Sequence, residues 1–267
     1  MLLDTYSHAD RPPGDLESFL AELRRRRVFS IAVSPDPESY ARTSVLTSGE
    51  PLVVPALGVH PDRAAAWAGR LDEVVAALEG AAVVGTIGLD RNSPQRAADF
   101  PAQKTVFARL LAEAAERDLL VNVHTKAAEE FVVAELRRHN VRRMIVHWYA
   151  GSVRAFRALT EQGAYFSIGV GIARGDAARA IATAVPADRL LTETDVQGGC
   201  DEPGADTARP GLVIDVQREL ATVRGVSVRE LQEQVRTNFL RLISENVVLE
   251  TAYRRAEASF EGDARVS

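Results

Sequence analysis

AVVGTIGL at residues 82–89 and LLVNV at residues 119–123 enclose QKTVFARLLAEAAERD at residues 103–118. The two outer segments are short, apolar and rich in β-branched residues, as buried parallel strands are. The middle segment places apolar residues such as Val106 and Leu110 on one face of a helix. A strand, a helix and a second strand in this order predict two parallel strands joined by a right-handed crossover.

The same alternation extends over most of the chain. Eight apolar runs are predicted to be strands: 2–6, 28–33, 52–59, 82–89, 119–123, 143–148, 164–170 and 189–194. Amphipathic segments that predict helices lie at 13–27, 61–80, 103–118, 127–140, 152–163 and 175–185. Two further helical patterns follow at 212–225 and 227–244. Eight such units predict an α/β fold, a closed (β/α)8 TIM barrel with C-terminal helices.

The length and composition agree with this architecture. The chain has 267 residues, and a barrel of this type takes about 250. Hydrophobic residues make up 46% and charged residues 26%, so a large core can be buried. We therefore predict a single domain over residues 1–267, with 254–267 as a flexible tail.

Several classes of protein are disfavoured by the same sequence. Cys200 is the only cysteine, so neither an internal disulfide nor a CxxC zinc site is expected. No apolar run reaches the roughly 20 residues of a membrane span, and no membrane partner is expected. The net charge of −5 argues against a generally basic nucleic-acid-binding surface. With no signal peptide in the sequence, the expected location is the cytoplasm.

Four of the five histidines follow predicted strands. His8, His60, His124 and His147 come at the ends of the first, third, fifth and sixth runs, and Asp195 follows the eighth. In a parallel barrel these strand ends meet at the face where active sites lie. Imidazole and carboxylate groups together are typical ligands of a divalent ion such as zinc.

Each of these residues also suits an ordinary structural role. His60 suits a turn before Pro61, and Asp195 suits the N-cap of a helix. The fifth histidine, His139, lies in the polar end of a helix and is interpreted as a solvated or capping residue. A shared rim for the other four favours a functional site, because unrelated structural roles do not select one face of the barrel.

The strand-end segments resemble the motifs of TatD-like metal-dependent hydrolases. LLDTYSH at 2–8 is similar to the opening DTHxH motif of that family. The later signatures are resembled, in the same order, by GVHP at 58–61, GTIGLD at 85–90, VNVHTK at 121–126, IVHWYAGS at 145–152, LLTETD at 190–195 and TNFLRL at 238–243. This resemblance covers about residues 1–244. It implies a TIM barrel of the amidohydrolase superfamily and divalent-metal hydrolysis, most often of phosphodiester bonds in DNA.

Two of the ligand positions that the resemblance implies are altered. Tyr6 stands where the family has the first histidine of its opening motif. Thr86 stands where the family has a glutamate that bridges two metal ions. Four residues match the remaining ligand positions and are the predicted metal ligands: His8, His124, His147 and Asp195. Without a bridging carboxylate, a pair of ions about 3.5–4 Å apart is disfavoured.

Three outcomes remain open for this altered site. A single ion (Zn, Mg or Mn) is held by His124, His147 and one of His8 or Asp195, with Asp195 as ligand or base. Alternatively, Tyr6 ligates as phenolate or donates a hydrogen bond to a developing oxyanion, while Thr86 holds a water. In the third outcome the barrel binds no metal and serves as a scaffold. We favour the first, because three imidazoles and a carboxylate facing one cavity suit an ion.

Other residues near the predicted rim receive roles in contacting the substrate. The resemblance places His60 on the substrate side. Lys126 is either a residue that holds a phosphate or carboxylate of the substrate or an ordinary surface lysine. Trp148 and Tyr149 follow His147 and are candidates for stacking on a base or ring, or for packing. Glu193 has the strand spacing that points it the same way as Asp195, which favours orienting a ligand.

The predicted function is metal-dependent hydrolysis of a phosphodiester at a DNA 3′ end or of a related bond. The alternatives are an amidohydrolase acting on a small amide or ester, and a catalytically inert TatD-like subunit of a larger assembly, such as an anti-phage system. The segment at 196–211 is rich in glycine and acid, and it is expected to overhang the site and repel long polyanions. The substrate is therefore a small molecule or a nucleic-acid end.

Overall fold

The computed structural model describes residues 1–9, 16–173, 175–195 and 209–261. All eight predicted strands are present in it: β1 (Leu2–Ser7), β2 (Val28–Val33), β3 (Val53–Ala56), β4 (Val83–Asp90), β5 (Leu120–Lys126), β6 (Met144–His147), β7 (Tyr165–Ile168) and β8 (Leu190–Thr192). Most of the predicted acid-rich segment, residues 196–208, lies outside the described residues.

Helices alternate with these strands and then close the chain. They are α1 (Leu16–Arg26), α2 (Pro37–Leu46), α3 (Ala64–Trp67), α4 (Leu71–Ala77), α5 (Pro94–Ala98), α6 (Phe100–Glu116), α7 (Glu129–Arg138), α8 (Val153–Glu161), α9 (Asp176–Ala184), α10 (Leu212–Arg224), α11 (Val228–Ile243) and α12 (Val247–Glu261). Within the part of the chain that is described, no helix is both long and apolar enough to cross a membrane.

The strands pair in parallel and in sequence order, as two arcs. β1, β2 and β3 form the first arc, and β4 to β8 form the second. Between the arcs, the Leu57 N–H donates to the Val83 carbonyl at 3.2 Å, and the Gly85 N–H donates to the Leu57 carbonyl at 2.8 Å. These two bonds join the arcs after β3, on the side where the chain runs directly from one to the other.

The other join brings the first strand beside the last and closes the barrel. The Asp195 N–H donates to the Tyr6 carbonyl at 2.9 Å. The Thr192 hydroxyl donates to the Leu3 carbonyl at 2.6 Å, and the Thr5 hydroxyl donates to the Thr192 carbonyl at 3.1 Å. Side-chain hydroxyls thus replace part of the ordinary strand ladder between β1 and β8. The predicted (β/α)8 barrel is confirmed.

The core lies between the strands and the surrounding helices. Every residue of β2 and β4 is buried, which explains the nearly continuous apolar runs in their sequences. On α6 the predicted face is the buried face, since Val106, Leu110 and Leu111 are at most 2% exposed. Packing of this face against β4 fixes the strand whose end faces the barrel mouth.

The structure differs from the prediction in the connecting and terminal segments. Helix α2 lies between β2 and β3, where no helix is predicted, and the single helix expected over 61–80 is divided into a short 3-10 turn, α3 and α4. The predicted flexible tail is helical as far as Glu261. Tyr253 and Ala256 of α12 are fully buried, so packing against the barrel orders this segment. Residues 262–267 lie outside the described residues.

Candidate functional site

The histidines predicted at the strand ends share one barrel mouth. Their rings form a continuous chain of contacts that also includes the phenol of Tyr6. The ring centroids of His60 and His124 are 4.8 Å apart, and those of His124 and His147 are 5.6 Å apart. Tyr6 lies 3.7 Å from His147 and 5.5 Å from His8 between centroids. The parallel strands therefore gather these side chains at one rim.

On the β1/β8 side of the mouth, His8 faces Asp195. The distance from His8 Nε2 to Asp195 Oδ1 is 3.8 Å. The Asp195 N–H donates to the Tyr6 carbonyl, which fixes the aspartate beside β1. Two atoms that bind one ion at about 2.0–2.2 Å lie no more than about 4.4 Å apart. The spacing and the chemistry of this pair therefore suit a divalent ion.

On the β5 side, His124 is paired with an acid at the end of β4. His124 Nε2 lies 3.1 Å from Asp90 Oδ2, and the same oxygen accepts from Arg96 Nη1 at 2.6 Å. Burial lowers the pKa of His124, so the neutral imidazole donates to the carboxylate. Burial opposes ionisation of Asp90, but hydrogen bonds from His124 and the Asn92 N–H outweigh it and lower the Asp90 pKa. The negative charge of Asp90 is therefore already compensated by the guanidinium of Arg96.

On the β6 side, His147 rests on a buried glutamate. Its Nδ1 lies 3.3 Å from both carboxyl oxygens of Glu193. Glu193 also accepts the Trp148 N–H at 3.2 Å and the hydroxyl of Ser167. Burial raises the pKa of Glu193 to about 8 and lowers that of His147 to about 4. Glu193 thus orients the ring, and Nε2 is the nitrogen that remains for a ligand.

The two altered positions, Tyr6 and Thr86, meet at the centre of the mouth. The Tyr6 ring stacks on His147 with an angle of 12° between the ring planes. Burial, reinforced by the charge of Asp195, raises the Tyr6 pKa well above its usual value, which disfavours the phenolate. The buried Thr86 hydroxyl lies near this phenol, but it completes no hydrogen bond of normal geometry with the described residues. A neutral ring and a small hydroxyl therefore stand at the two altered positions.

The predicted ligands share a mouth but do not converge on one point. Among residues 1–9, 16–173, 175–195 and 209–261, no three His, Cys, Asp or Glu side chains are grouped closely enough to hold an ion. The neutral imidazoles and the carboxylate of Asp195 are nevertheless the donor types that a divalent ion takes. The His8–Asp195 pair fits by distance, so the fit concerns these two donors and not the four predicted together.

The rim residues have specific neighbours. His60 Nδ1 lies 2.6 Å from Asp62 Oδ1, and the side chain caps the 3-10 turn that begins at Pro61. His60 therefore stabilises this turn while its ring also faces His124. The ammonium of Lys126 lies 5.6 Å from the centroid of the Trp148 ring. The two residues predicted to contact the substrate, His60 and Lys126, therefore both lie at the mouth. His139, in contrast, caps α7.

Asp90 is the main residue of the site that the sequence-based prediction missed. It is the last residue of β4, so the strand-end rule that selected the histidines would also have selected it. Gln103 of α6 fixes its backbone: the Asp90 N–H donates to Gln103 Oε1 at 2.8 Å, and Gln103 Nε2 donates to the Asp90 carbonyl at 2.9 Å. Its contact with His124 depends on the pairing of β4 with β5.

Comparison with known proteins finds relatives that match most of the chain. Residues 3–244 match the family described as TatD related DNase. The uncharacterized metal-dependent hydrolase YabD of Bacillus subtilis is 26% identical to this chain. The match spans 92% of this chain and 100% of YabD. The 3′-5′ ssDNA/RNA exonuclease TatD of Erwinia tasmaniensis is 29% identical, covering 70% of this chain and 76% of its own.

Solved structures show the same relationship. The crystal structure of the TatD homologue YJJV from Escherichia coli K12 superposes with a TM-score of 0.78. It is 25% identical and covers 90% of this chain and 97% of its own. Its agreement with the barrel, together with the family match over nearly the whole chain, settles the classification. The chain belongs to the TatD-related DNase family of metal-dependent hydrolases.

Proposed function

We propose that this protein hydrolyses a phosphodiester at a nucleic-acid end, or a related ester bond, with a single divalent ion. Family membership implies a divalent metal. The observation that carries the proposal is the difference in pairing among the predicted ligands. His8 and Asp195 face each other at 3.8 Å, whereas His124 is hydrogen-bonded to Asp90. The ion is therefore assigned to the β1/β8 side, with His8 and Asp195 as its protein donors.

The surrounding charges favour one ion over two. Thr86 brings no charge to the position of the bridging carboxylate, and the neutral Tyr6 phenol brings none to the opening motif. On the β5 side, Arg96 already contacts the carboxylate of Asp90 at 2.6 Å. A second dication there would face a guanidinium and find no unshared negative charge. His124 is accordingly assigned a positioning role rather than that of a ligand.

The chemistry of the site follows from where its charges lie. A divalent ion held there would supply a Lewis acid and would make water more acidic. Asp195 lies at the edge of the mouth, where its carboxylate accepts a proton from the attacking water. Lys126, at the end of β5, supplies positive charge for a phosphate or carboxylate of the substrate. His60, whose Nδ1 is held by Asp62, faces the same space and helps to orient that group.

The relative from Erwinia tasmaniensis that is named a 3′-5′ ssDNA/RNA exonuclease supports a nucleic-acid end as the substrate. The test is release of nucleotides from 3′-labelled single-stranded DNA in Mg²⁺, Mn²⁺ or Zn²⁺. Asp195→Asn, which keeps the backbone N–H that bonds Tyr6, is expected to lower the rate about 100-fold or more. His139→Ala, at the C-terminal cap of α7, is the matched control and should leave the rate unchanged. Metal-independent release, or full activity of Asp195→Asn, would contradict the proposal.

A further inference from the structure

A cavity of about 530 Å³ adjoins the mouth between the end of β6 and helix α9. This volume lies within the range typical of small-molecule sites. Its walls are mostly apolar and include Trp148, Gly169, Gly171, Ile172, Ala178 and Ile181. None of these side chains carries a formal charge, so the cavity suits an uncharged group.

Trp148 places the cavity beside the candidate active site. This residue directly follows His147, and the two ring centroids are 6.4 Å apart. Its backbone adopts a φ of 41°, a left-handed conformation that is rare for a bulky residue. The carboxyl of Glu193 accepts its N–H at 3.2 Å and also contacts His147. One buried carboxyl therefore contacts the imidazole of His147 and also holds the backbone that carries the indole.

Two glycines allow this close packing and keep the cavity open. A Cβ atom on Gly171 would lie 3.2 Å from Trp148 Cζ2, which is tighter than most such contacts. A Cβ atom on Gly169 would lie 3.0 Å from Glu193 Cγ. Any side chain at these positions would push against the indole or the carboxyl that supports it. The sequence thus leaves an aromatic wall with free space beside it.

We propose that this cavity binds a planar, uncharged ring of the substrate, next to the bond that is hydrolysed. The inference rests on the proposed function, whose substrate class it narrows. An indole offers a stacking surface for any neutral ring, and the apolar walls favour removing such a ring from water. Lys126, 5.6 Å from the centroid of the same indole, places positive charge at the rim, where the anionic or ester part of the substrate follows.

The ring can belong to a nucleobase at a nucleic-acid end or to the aryl group of a small ester. Both present the same chemistry to the cavity: a flat, neutral, polarisable face. A ring bound beside Trp148 would bring the bond attached to it toward His147 and the β1/β8 side. Specificity would then come from this cavity, and the metal side would supply the chemistry.

The test measures ring binding without metal or catalysis. The sequence has two tryptophans, so the Trp67→Phe variant leaves Trp148 as its only indole. Titrating this variant with benzamide in EDTA should change its fluorescence saturably, and acetamide should not. Ala178→Phe, which fills the cavity, is expected to weaken benzamide binding at least tenfold. Ala184→Phe, at the exposed end of the same helix and outside the cavity, is the control and should bind as the parent does.

A second substitution protects the test against misfolding. Ala177 also lines the cavity and is exposed, so Ala177→Phe should fold normally and should weaken benzamide binding as well. Parent-like binding in both folded variants, or no saturable response to benzamide, would overturn the proposal. Displacement of benzamide by oligothymidylate would assign the ring to a nucleobase. Unaltered binding with oligothymidylate present would assign it to a small aryl ester. Failure of hydrolysis leaves this binding result intact, so the two proposals fail separately.

Discussion

The two sides of the barrel mouth hold the same residue types in different surroundings. On the β5/β6 side, the imidazoles of His124 and His147 are 6% and 3% exposed, and each contacts a buried carboxyl group. On the β1/β8 side, the His8 side chain is 15% exposed and lies 3.8 Å from Asp195. The comparison teaches that histidines at different strand ends differ in their exposure and in the acid that a neighbouring strand places beside them.

The largest expected effect tests whether the two sides really differ. We expect roughly one ion per chain after dialysis of the metal-loaded protein, and almost none in His8→Ala or Asp195→Ala, because each removes one of the few protein donors. His124→Ala should keep most of the metal, since its imidazole is engaged by Asp90. Metal analysis by mass spectrometry measures this. Equal loss in His124→Ala and His8→Ala would show that the sides are equivalent.

A smaller effect is expected from restoring the two altered positions together. Tyr6→His with Thr86→Glu supplies an imidazole and a carboxylate at the centre of the mouth, so metal content should rise from about one ion toward two. Tyr6→Phe is the control, because it keeps the ring against His147 and adds no donor. Metal content and nucleotide release are measured for all three proteins. If the double variant still holds a single ion, the two restored side chains do not create a second metal site on the β5/β6 side.

The smallest effect concerns the strands that carry His8 and Asp195. Asp4 of β1 accepts the Thr194 N–H at 2.9 Å and the Thr194 hydroxyl at 2.6 Å. Burial raises its pKa from 3.8 to about 7, so its contribution to stability is fully present below pH 4 and is lost as the pH rises toward 7. Asp4→Asn stays neutral. Relative to the parent, its free energy of unfolding should therefore increase by about 2 kcal/mol between pH 5 and pH 8.

Urea unfolding at the two pH values measures this difference. Asp72→Asn provides the control, because the Asp72 side chain is 99% exposed and the stability of this variant relative to the parent should be similar at both pH values. If Asp4→Asn behaves like Asp72→Asn, Asp4 is ionised in the folded protein. The β1/β8 side would then carry two negative charges instead of one, which would strengthen its attraction for a cation.

Much of the barrel could be predicted from sequence because its strands are buried on both faces. Continuous apolar runs such as VFSIAV at 28–33 are typical of strands in that environment. Helix α2 was not predictable in this way, since PESYARTSVL has a weak apolar stripe and relies on a side-chain cap from Asp36. Helix α12 is ordered by burial of Tyr253 and Ala256, a long-range effect that local sequence does not contain.

The site shows the same division between local and long-range information. The strand-end rule placed His8, His124, His147 and Asp195 at one mouth, because that placement depends only on chain direction. Which of them are engaged by carboxyl groups depends on register. Gly88 of β4 pairs with His124 of β5, and this alignment brings Asp90 against the imidazole. No spacing along the sequence reveals that contact.

The His8–Asp195 pair spans the join between β1 and β8 that closes the barrel. These strands stand at opposite ends of the barrel sequence, and hydroxyl groups make up part of the hydrogen bonding between them. An ion bound by both His8 and Asp195 would therefore link the first strand of the barrel to the last. A ligand that binds only the folded state stabilises that state more as the ligand concentration rises. The free energy of unfolding of the barrel would therefore increase with the concentration of free metal.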